Sequence, residues 1–344
     1  MDHLANNQNI DISEDTLWMQ FSDVLSILLR DHTTKKNIIW GTDDYASLGE
    51  AYQAKKEILP ELITGEHGLL IMPRVRKERE LQTQRVRDMA EVFTPTWVCN
   101  EQNNLVDEAW FGRRDVFNTT FLDDNGNHCW EAIKGRIVFD EDPSRSSKRS
   151  WQDYVRDLRL EITCGEGPYL ASRYDRVTGE AIEDVNQRVG FLDRKLRVVS
   201  ENTESTGEWL EWAKEALKAT YGYEWQGDNL LLAREALLFT FMDFYKAKFG
   251  VELPGAQANS LPGAAYIISW NLWQMDGLKM VVPYSCEGQT ETDLFGEVLV
   301  RKCPACENGS YTKHIGTRCL IRDWRKPKDK QKIEFQSLLL PGNR

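Results

Sequence analysis

The feature that most constrains this fold is a glycine-rich turn inside residues 159–175, RLEITCGEGPYLASRYD. A short apolar run before it predicts a strand, and Gly165 and Gly167 stand in the turn itself. Glycine suits such a turn because a Cβ hinders both positive φ and close approach of a ligand to the backbone. A strand, a glycine turn and a helix start directly after it favour a nucleotide-type cofactor site. A plain surface turn is the alternative for this pattern alone.

Composition narrows the class of protein. The sequence contains no run of about 18 apolar residues, so no membrane span is expected. Its first fifteen residues also lack the apolar centre of a secretory signal. Seven cysteines, an odd number, favour a reducing compartment over a disulfide framework. The net charge of −11 argues against unaided coating of nucleic acid, although basic residues cluster at 74–79 and 322–332. We therefore expect a cytoplasmic protein with no membrane partner.

A second patterned stretch, EVFTPTWV at residues 91–98, lies upstream of the turn. Pro95 is suited to opening the helix that the following residues predict. Thr94 offers a hydroxyl at that helix start, where a carboxylate ligand is favoured. An ordinary loop followed by a helix N-cap is the alternative.

Two more stretches follow downstream, and each carries an acidic residue. ATYGYEW at 219–225 predicts a strand that reaches Glu224, and a carboxylate at the end of such a strand binds ribose hydroxyls in dinucleotide-binding folds. YIISWNLWQMDGLKMVV at 266–282 predicts an apolar strand and then a turn at Asp276, whose carboxylate could accept a hydrogen bond from an exocyclic amine. By itself the Asp-Gly pair is also a good turn dipeptide.

In order, EVFTPTWV, LEITCGEG, YGYEWQGDNLLLARE and NLWQMDGL resemble the DNA adenine-N6 methyltransferases in which a Thr-Pro motif precedes the cofactor turn. The modification subunits of restriction systems belong to that family, and the resemblance covers about residues 85–282. It implies an α/β, Rossmann-like fold that binds S-adenosylmethionine. By the same resemblance, Thr94 and Pro95 contact the methionine end, Glu161, Gly165 and Gly167 line the turn, Glu224 binds ribose, and Asp276 holds the adenine amine.

The sequence also departs from this family. Ile162 stands where the family usually has proline, and the target-base motif, Asn or Asp followed by Pro-Pro and an aromatic residue, is absent from the 344 residues. In that motif a side chain and a proline carbonyl polarise the adenine amine while the aromatic ring stacks on the flipped base. The catalytic residues are therefore unknown.

Three functions remain open at this stage. The first is a DNA adenine methyltransferase or modification subunit that acts on double-stranded DNA, with the target-base motif supplied by a second methyltransferase, specificity or restriction subunit. The second is a non-catalytic module that binds S-adenosylmethionine, DNA or a partner subunit. The third is a general nucleotide-dependent enzyme, for which the Thr-Pro stretch would have no role.

A cysteine-rich stretch, CPACENGSYTKHIGTRC, begins at Cys303. Cys303 and Cys306 form a Cys-x-x-Cys pair, and His314 and Cys319 follow as a second pair, which predicts a tetrahedral structural zinc site. Cys286 is an alternative fourth ligand. A reduced hairpin or a redox pair is the alternative to zinc.

These patterns predict three regions. Residues 1–90 form a mostly helical N-terminal region, and residues 91–285 form the Rossmann-like domain with an insertion near 112–150. Residues 286–344 form a small module that resembles a zinc knuckle, followed by two strands with a basic turn between them.

Overall fold

A computed structural model describes residues 14–76, 94–139, 149–253, 260–286, 289–292, 298–310 and 313–339. Its helices are α1 (Glu14–Leu29), α2 (Pro60–Ile63), α3 (Thr96–Phe111), α4 (Trp151–Arg156), α5 (Phe191–Asn202), α6 (Thr206–Lys218), α7 (Gly227–Phe249), α8 (Ser260–Asn271) and α9 (Pro304–Glu307). Its strands are β1 (Asn118–Leu122), β2 (His128–Ala132), β3 (Arg159–Glu161), β4 (Thr220–Glu224), β5 (Leu272–Gln274), β6 (Gln289–Thr292), β7 (Val298–Arg301), β8 (Leu320–Arg322) and β9 (Lys332–Glu334). In this part of the chain, every helix is too short or too polar to cross a lipid bilayer.

A parallel sheet of three strands, in the order β3-β4-β5, lies at the centre of the molecule. Leu160 pairs with Tyr221, and Tyr223 pairs with Trp273. All five residues of β4 are buried, as expected for the middle strand of a parallel sheet. Helices α5 and α6 connect β3 to β4, and α7 and α8 connect β4 to β5, so the mixed α/β prediction is confirmed. Only these three strands form the parallel sheet among the described residues, and a methyltransferase fold stays a prediction.

A helical layer covers one face of this sheet and forms the main core. Helix α7 is buried on nearly all sides, because α1, α5 and α8 all pack on it. Helix α1 contributes Leu25 and Leu28 to the same core. The predicted regions near residues 1–90, 91–285 and 286–344 stay predictions, since residues 77–93 lie outside the described part.

The opposite face of the sheet packs on the antiparallel hairpin β8–β9. Tyr221, Tyr223 and Trp273 from the sheet meet Ile321 and Phe335 from the C-terminal segment in a second core. The two predicted C-terminal strands are present only in part: β8 and β9 have three residues each, and residues 335–338, predicted as strand, form a 3-10 helix.

The helix predicted directly after the glycine turn is wrong. Turns and an isolated bridge between Tyr174 and Ala181 occupy that segment, and α5 begins only at Phe191. The first amides of α5 donate to the loop, from Phe191 N to Tyr169 O at 2.8 Å and from Leu192 N to Leu170 O at 2.9 Å. The first N–H groups of α5 are therefore hydrogen-bonded to loop carbonyl groups. They do not point towards the glycine turn, although the motif predicted that they would.

The strand predicted from Tyr266 is also wrong over most of its length. Residues 266–271 belong to α8, and the strand β5 begins at Leu272. A short, continuous apolar run is compatible with either a buried helix or a buried strand, so its pattern does not distinguish them.

Candidate functional site

The glycine turn follows β3 with an unusual backbone. Thr163, Gly165 and Gly167 all have positive φ, at 46°, 53° and 71°. The N–H of Gly167 donates to the carbonyl of Cys164 at 2.7 Å, which closes the turn. A Cβ on Gly165 would meet nothing within 4 Å, whereas one on Gly167 would lie 3.5 Å from the Cβ of Ala233 in α7. The backbone at Gly165 therefore borders open space that a ligand can enter.

Glu224, at the end of β4, is bound directly to this turn. Its Oε2 accepts the N–H of Gly165 at 2.8 Å. Its Oε1 accepts the N–H groups of Trp225 at 2.8 Å and Gln226 at 3.2 Å. Burial raises the pKa of Glu224, although these N–H groups oppose the shift. The structure brings Glu224 and Gly165 together, while the ribose-binding role stays a prediction.

Glu161, at the end of β3, has one carboxylate oxygen without a partner. Its Oε1 accepts the N–H of Tyr169 at 3.4 Å. Its Oε2 is buried and has no hydrogen-bond partner among the described residues. Burial raises the pKa of Glu161 to about 8, opposed by the Tyr169 N–H and the Arg176 charge and reinforced by Glu224. A buried polar atom that stays unpaired is rare in folded proteins, so its donor is expected to lie outside the described residues.

The Thr-Pro segment lies against the loop that follows the turn. Pro95 precedes α3 directly, as predicted. Burial, reinforced by Cys99 and Glu161, raises the pKa of Tyr169 to about 12, and a hydrogen bond with Thr94 opposes the shift. Thr94 and Glu161 are therefore neighbours of the same tyrosine, so the structure brings the upstream motif to the turn.

Asp276 stabilises the turn after β5 by bonding within it. Its Oδ1 accepts the N–H groups of Leu278 at 3.1 Å and Lys279 at 3.0 Å. Its Oδ2 lies 3.2 Å from the ammonium of Lys279. These contacts match the turn-forming alternative. Contact between Asp276 and an adenine amine stays a prediction.

Four potential metal ligands converge after the turn of Asp276. The ligand atoms of Cys286, Cys303, Cys306 and His314 all lie within 4.8 Å of one another. The Nδ1 of His314 is 3.6 Å from the Sγ of Cys303 and 3.4 Å from that of Cys306. Three thiols and one imidazole are a typical donor set of structural zinc, so these residues fit the predicted metal. Four protein ligands leave no open position for a substrate.

Local backbone features bring these ligands together. Cys303 precedes the short helix α9, which positions Cys306 one turn later. A Cβ on Gly316 would lie 2.7 Å from the Sγ of Cys286, so glycine is required there. Burial raises the pKa of the Cys303 thiol, but hydrogen bonds outweigh this effect and lower the pKa to about 6. The largest of these contributions comes from the N–H of Ile315. A thiolate is the form that binds zinc.

Cys319, predicted as a ligand, is not part of this cluster. Its thiol is buried in the second core, where it lies 3.5 Å from the carbonyl of Gln274. Arg318 forms a β-bridge with Val281, next to the cluster. Successive side chains on an extended segment point to opposite sides, so the side chain of Cys319 points away from the cluster. Cys286, the alternative ligand, takes the fourth place.

No family model, curated protein or solved structure matches this chain. A proposal of function therefore depends on the residues themselves.

The sequence motifs did not predict the contacts that Tyr169 and Arg176 make at this site. Arg176 is buried, with its Nη1 2.5 Å from Glu166 Oε2, and its N–H donates to Thr96 Oγ1 at 2.9 Å. An aromatic and a basic residue in a loop carry no spacing signal that would single them out.

Proposed function

We propose that this protein binds S-adenosylmethionine beside the glycine turn and acts as a DNA adenine-N6 methyltransferase or modification subunit. The observation that carries the proposal is the buried Oε2 of Glu161 next to the turn, which has no partner in the described part of the chain. The order of the four motifs supports it, because the described members of all four lie around the ends of the same parallel strands.

The chemistry of the site fits the polar groups of this cofactor. The methionine end of S-adenosylmethionine carries an ammonium group, and a cation with N–H donors is what a buried carboxylate oxygen needs. Glu161 would hold that ammonium. Glu224 would hold the ribose hydroxyls with the lone pairs that its backbone donors leave free. The open side of Gly165 would let the cofactor approach the backbone.

S-adenosylmethionine supplies a reactive methyl group when it is bound. The described residues around the turn would orient the cofactor and exclude water, and orientation accounts for a large part of such catalysis. Double-stranded DNA would contact the basic residues of 322–332. A second subunit would supply the target-base motif that the sequence lacks. Zinc at Cys286, Cys303, Cys306 and His314 would hold the segment after Asp276 in place and take no part in methyl transfer.

A non-catalytic role is the second candidate, because no target-base motif exists in the sequence. In that case the protein binds S-adenosylmethionine, DNA or a partner subunit without transferring a methyl group. Radiolabelled methyl transfer to adenine-containing duplexes, measured with and without co-expressed neighbouring subunits, separates the two. Cofactor binding without methylation under both conditions would favour the non-catalytic role.

Calorimetric titration of the zinc-loaded protein with S-adenosylmethionine tests the binding site. We expect Glu161→Gln to weaken binding by at least about tenfold, since a hydrogen bond to a charged group contributes about 1.5–3 kcal/mol. Glu131→Gln, on the exposed hairpin β1–β2, is the matched control and should stay within about twofold, as for a surface residue. A folded wild-type protein that binds no S-adenosylmethionine would remove the proposal, and preference for NAD would favour a general nucleotide-dependent enzyme.

A further inference from the structure

Strand β3 has an open edge within the described residues. The N–H of Arg159 donates to Ala219 O at 2.9 Å, on the side of β4. Backbone groups alternate in direction along a strand, so the N–H and C=O of Leu160 face away from β4, where no described strand pairs with them. The side chains of Leu158, Leu160 and Ile162 are 41%, 45% and 63% exposed. Parallel strands are normally covered, which makes this exposed apolar edge unusual.

An apolar groove adjoins this edge because the hairpin β8–β9 covers only part of the sheet face. It encloses about 130 Å³ between the edge of β3 and the hairpin. Its floor and walls include Leu160, Tyr221, Trp273, Ile321, Phe335 and Leu338. The groove therefore offers room for aliphatic side chains directly beside unpaired backbone groups.

The hairpin side of the groove carries excess positive charge. Arg322 and Arg325 line the groove, and the turn that follows exposes Lys326, Lys328 and Lys330 with one acid, Asp329, among them. Among the described lining residues only Asp323 is acidic, and it is paired with Arg325 at 2.9 Å. An occupant with acidic residues at this end would be complementary in charge.

We propose that this groove binds an extended apolar segment of a second polypeptide, which adds a strand next to β3 and places acidic residues against the hairpin. Strand addition at a free sheet edge uses backbone hydrogen bonds for affinity and alternate side chains for specificity. A second copy of this chain is a poor occupant, because its own edge would bring the same cationic residues towards this rim. The apolar walls make a DNA duplex a poor occupant of the groove itself, although DNA and an acidic segment would compete for the basic residues of 322–332 beside it. The proposal does not depend on S-adenosylmethionine binding.

The test uses fluorescein-labelled peptides of about ten residues, a usual strand length, with valine at alternate positions and aspartate at one end, made in both orientations. Fluorescence anisotropy with the full chain measures their binding, without S-adenosylmethionine. We expect saturable binding of one orientation. Methylation of alternate backbone nitrogens should weaken it by about fivefold, because the hydrogen bond of about 1 kcal/mol to the C=O of Leu160 is lost.

A matched pair of variants locates the binding. Leu160→Asp places a charge on the open edge and should weaken peptide binding by at least about tenfold, the loss expected for burying an unpaired charge. Leu48→Asp alters an equally exposed leucine, 46% accessible against 45% for Leu160, outside the groove and should leave binding unchanged. Circular dichroism confirms that both variants fold.

Three outcomes overturn the proposal. The first is no saturable binding of either peptide orientation, or binding that Leu160→Asp does not weaken. The second is a DNA duplex that binds the wild type and not Leu160→Asp, which assigns the groove to nucleic acid. The third is a dimer in sedimentation equilibrium that Leu160→Asp dissociates, which assigns it to a second copy. None of them bears on cofactor binding, so failure here is distinct from failure of the proposed function.

Discussion

At the scale of single residues, Glu161 is the proposed ligand of the cofactor ammonium group, and its pKa of about 8 links cofactor binding to pH. At about pH 6 the free carboxyl is protonated, so pairing with a cationic ammonium group must release a proton. We expect the affinity for S-adenosylmethionine to rise by up to tenfold per pH unit from about pH 6 to 7.5. Above about pH 8 it should fall again, as the ammonium itself loses its proton.

Calorimetry at several pH values measures this dependence, and Glu161→Gln is the control. The glutamine variant has no carboxyl to titrate, so its weaker affinity should be nearly constant between about pH 6 and 7.5. Equal slopes for the wild type and the variant would show that another group titrates on binding. The sequence placed an acid at this position, but its unpaired oxygen became visible only from packing around Tyr169.

At the scale of elements, the four candidate metal ligands Cys286, Cys303, Cys306 and His314 lie in the segment between β5 and β8. We expect one zinc ion per chain in the wild type, and loss of most of it in Cys286→Ser, because a thiolate ligand is removed. Cys319→Ser is the matched control and should keep its zinc despite a loss of core packing. Inductively coupled plasma mass spectrometry of the purified proteins measures both. Equal loss of zinc from the two folded variants would show that Cys319 is also a zinc ligand.

These elements also show what the sequence could and could not predict. Spacing identified Cys303, Cys306 and His314, because short-range ligand pairs leave a local pattern. The choice of Cys286 over Cys319 depends on how the chain crosses at Val281 and Arg318, which no local pattern records. In the same way, the buried strand β4 was predicted, whereas residues 266–271 became helical through long-range packing of α8 on α1 and α7.

At the scale of the whole molecule, α1 and the parallel sheet share one core. Leu25 is fully buried in it, whereas Met19 on the same helix is 77% exposed. We expect Leu25→Ala to lower the free energy of unfolding by about 2–5 kcal/mol, the usual result of a cavity in a core. Met19→Ala should change it by less than about 0.5 kcal/mol. Urea denaturation followed by tryptophan fluorescence measures both, and an unchanged main transition in Leu25→Ala would show that α1 unfolds separately.

The strands β3, β4 and β5 follow the order of three of the sequence motifs along the chain. The pairing of β3 with β4 and of β4 with β5 brings Glu161, Gly165 and Glu224 together at the carboxyl ends of the strands, because parallel strands all end on the same side of the sheet. The open side of β3 and the groove beside it could not be predicted, because the sequence does not show which strand remains at the edge of a sheet.

Hydrogen–deuterium exchange with and without S-adenosylmethionine tests the central claim most directly. We expect slower exchange on binding in residues 159–170 and 219–230, where the glycine turn and the end of β4 meet, and no change in the hairpin β1–β2. Unchanged exchange at the turn under saturating cofactor, or slower exchange confined to another part of the molecule, would contradict it.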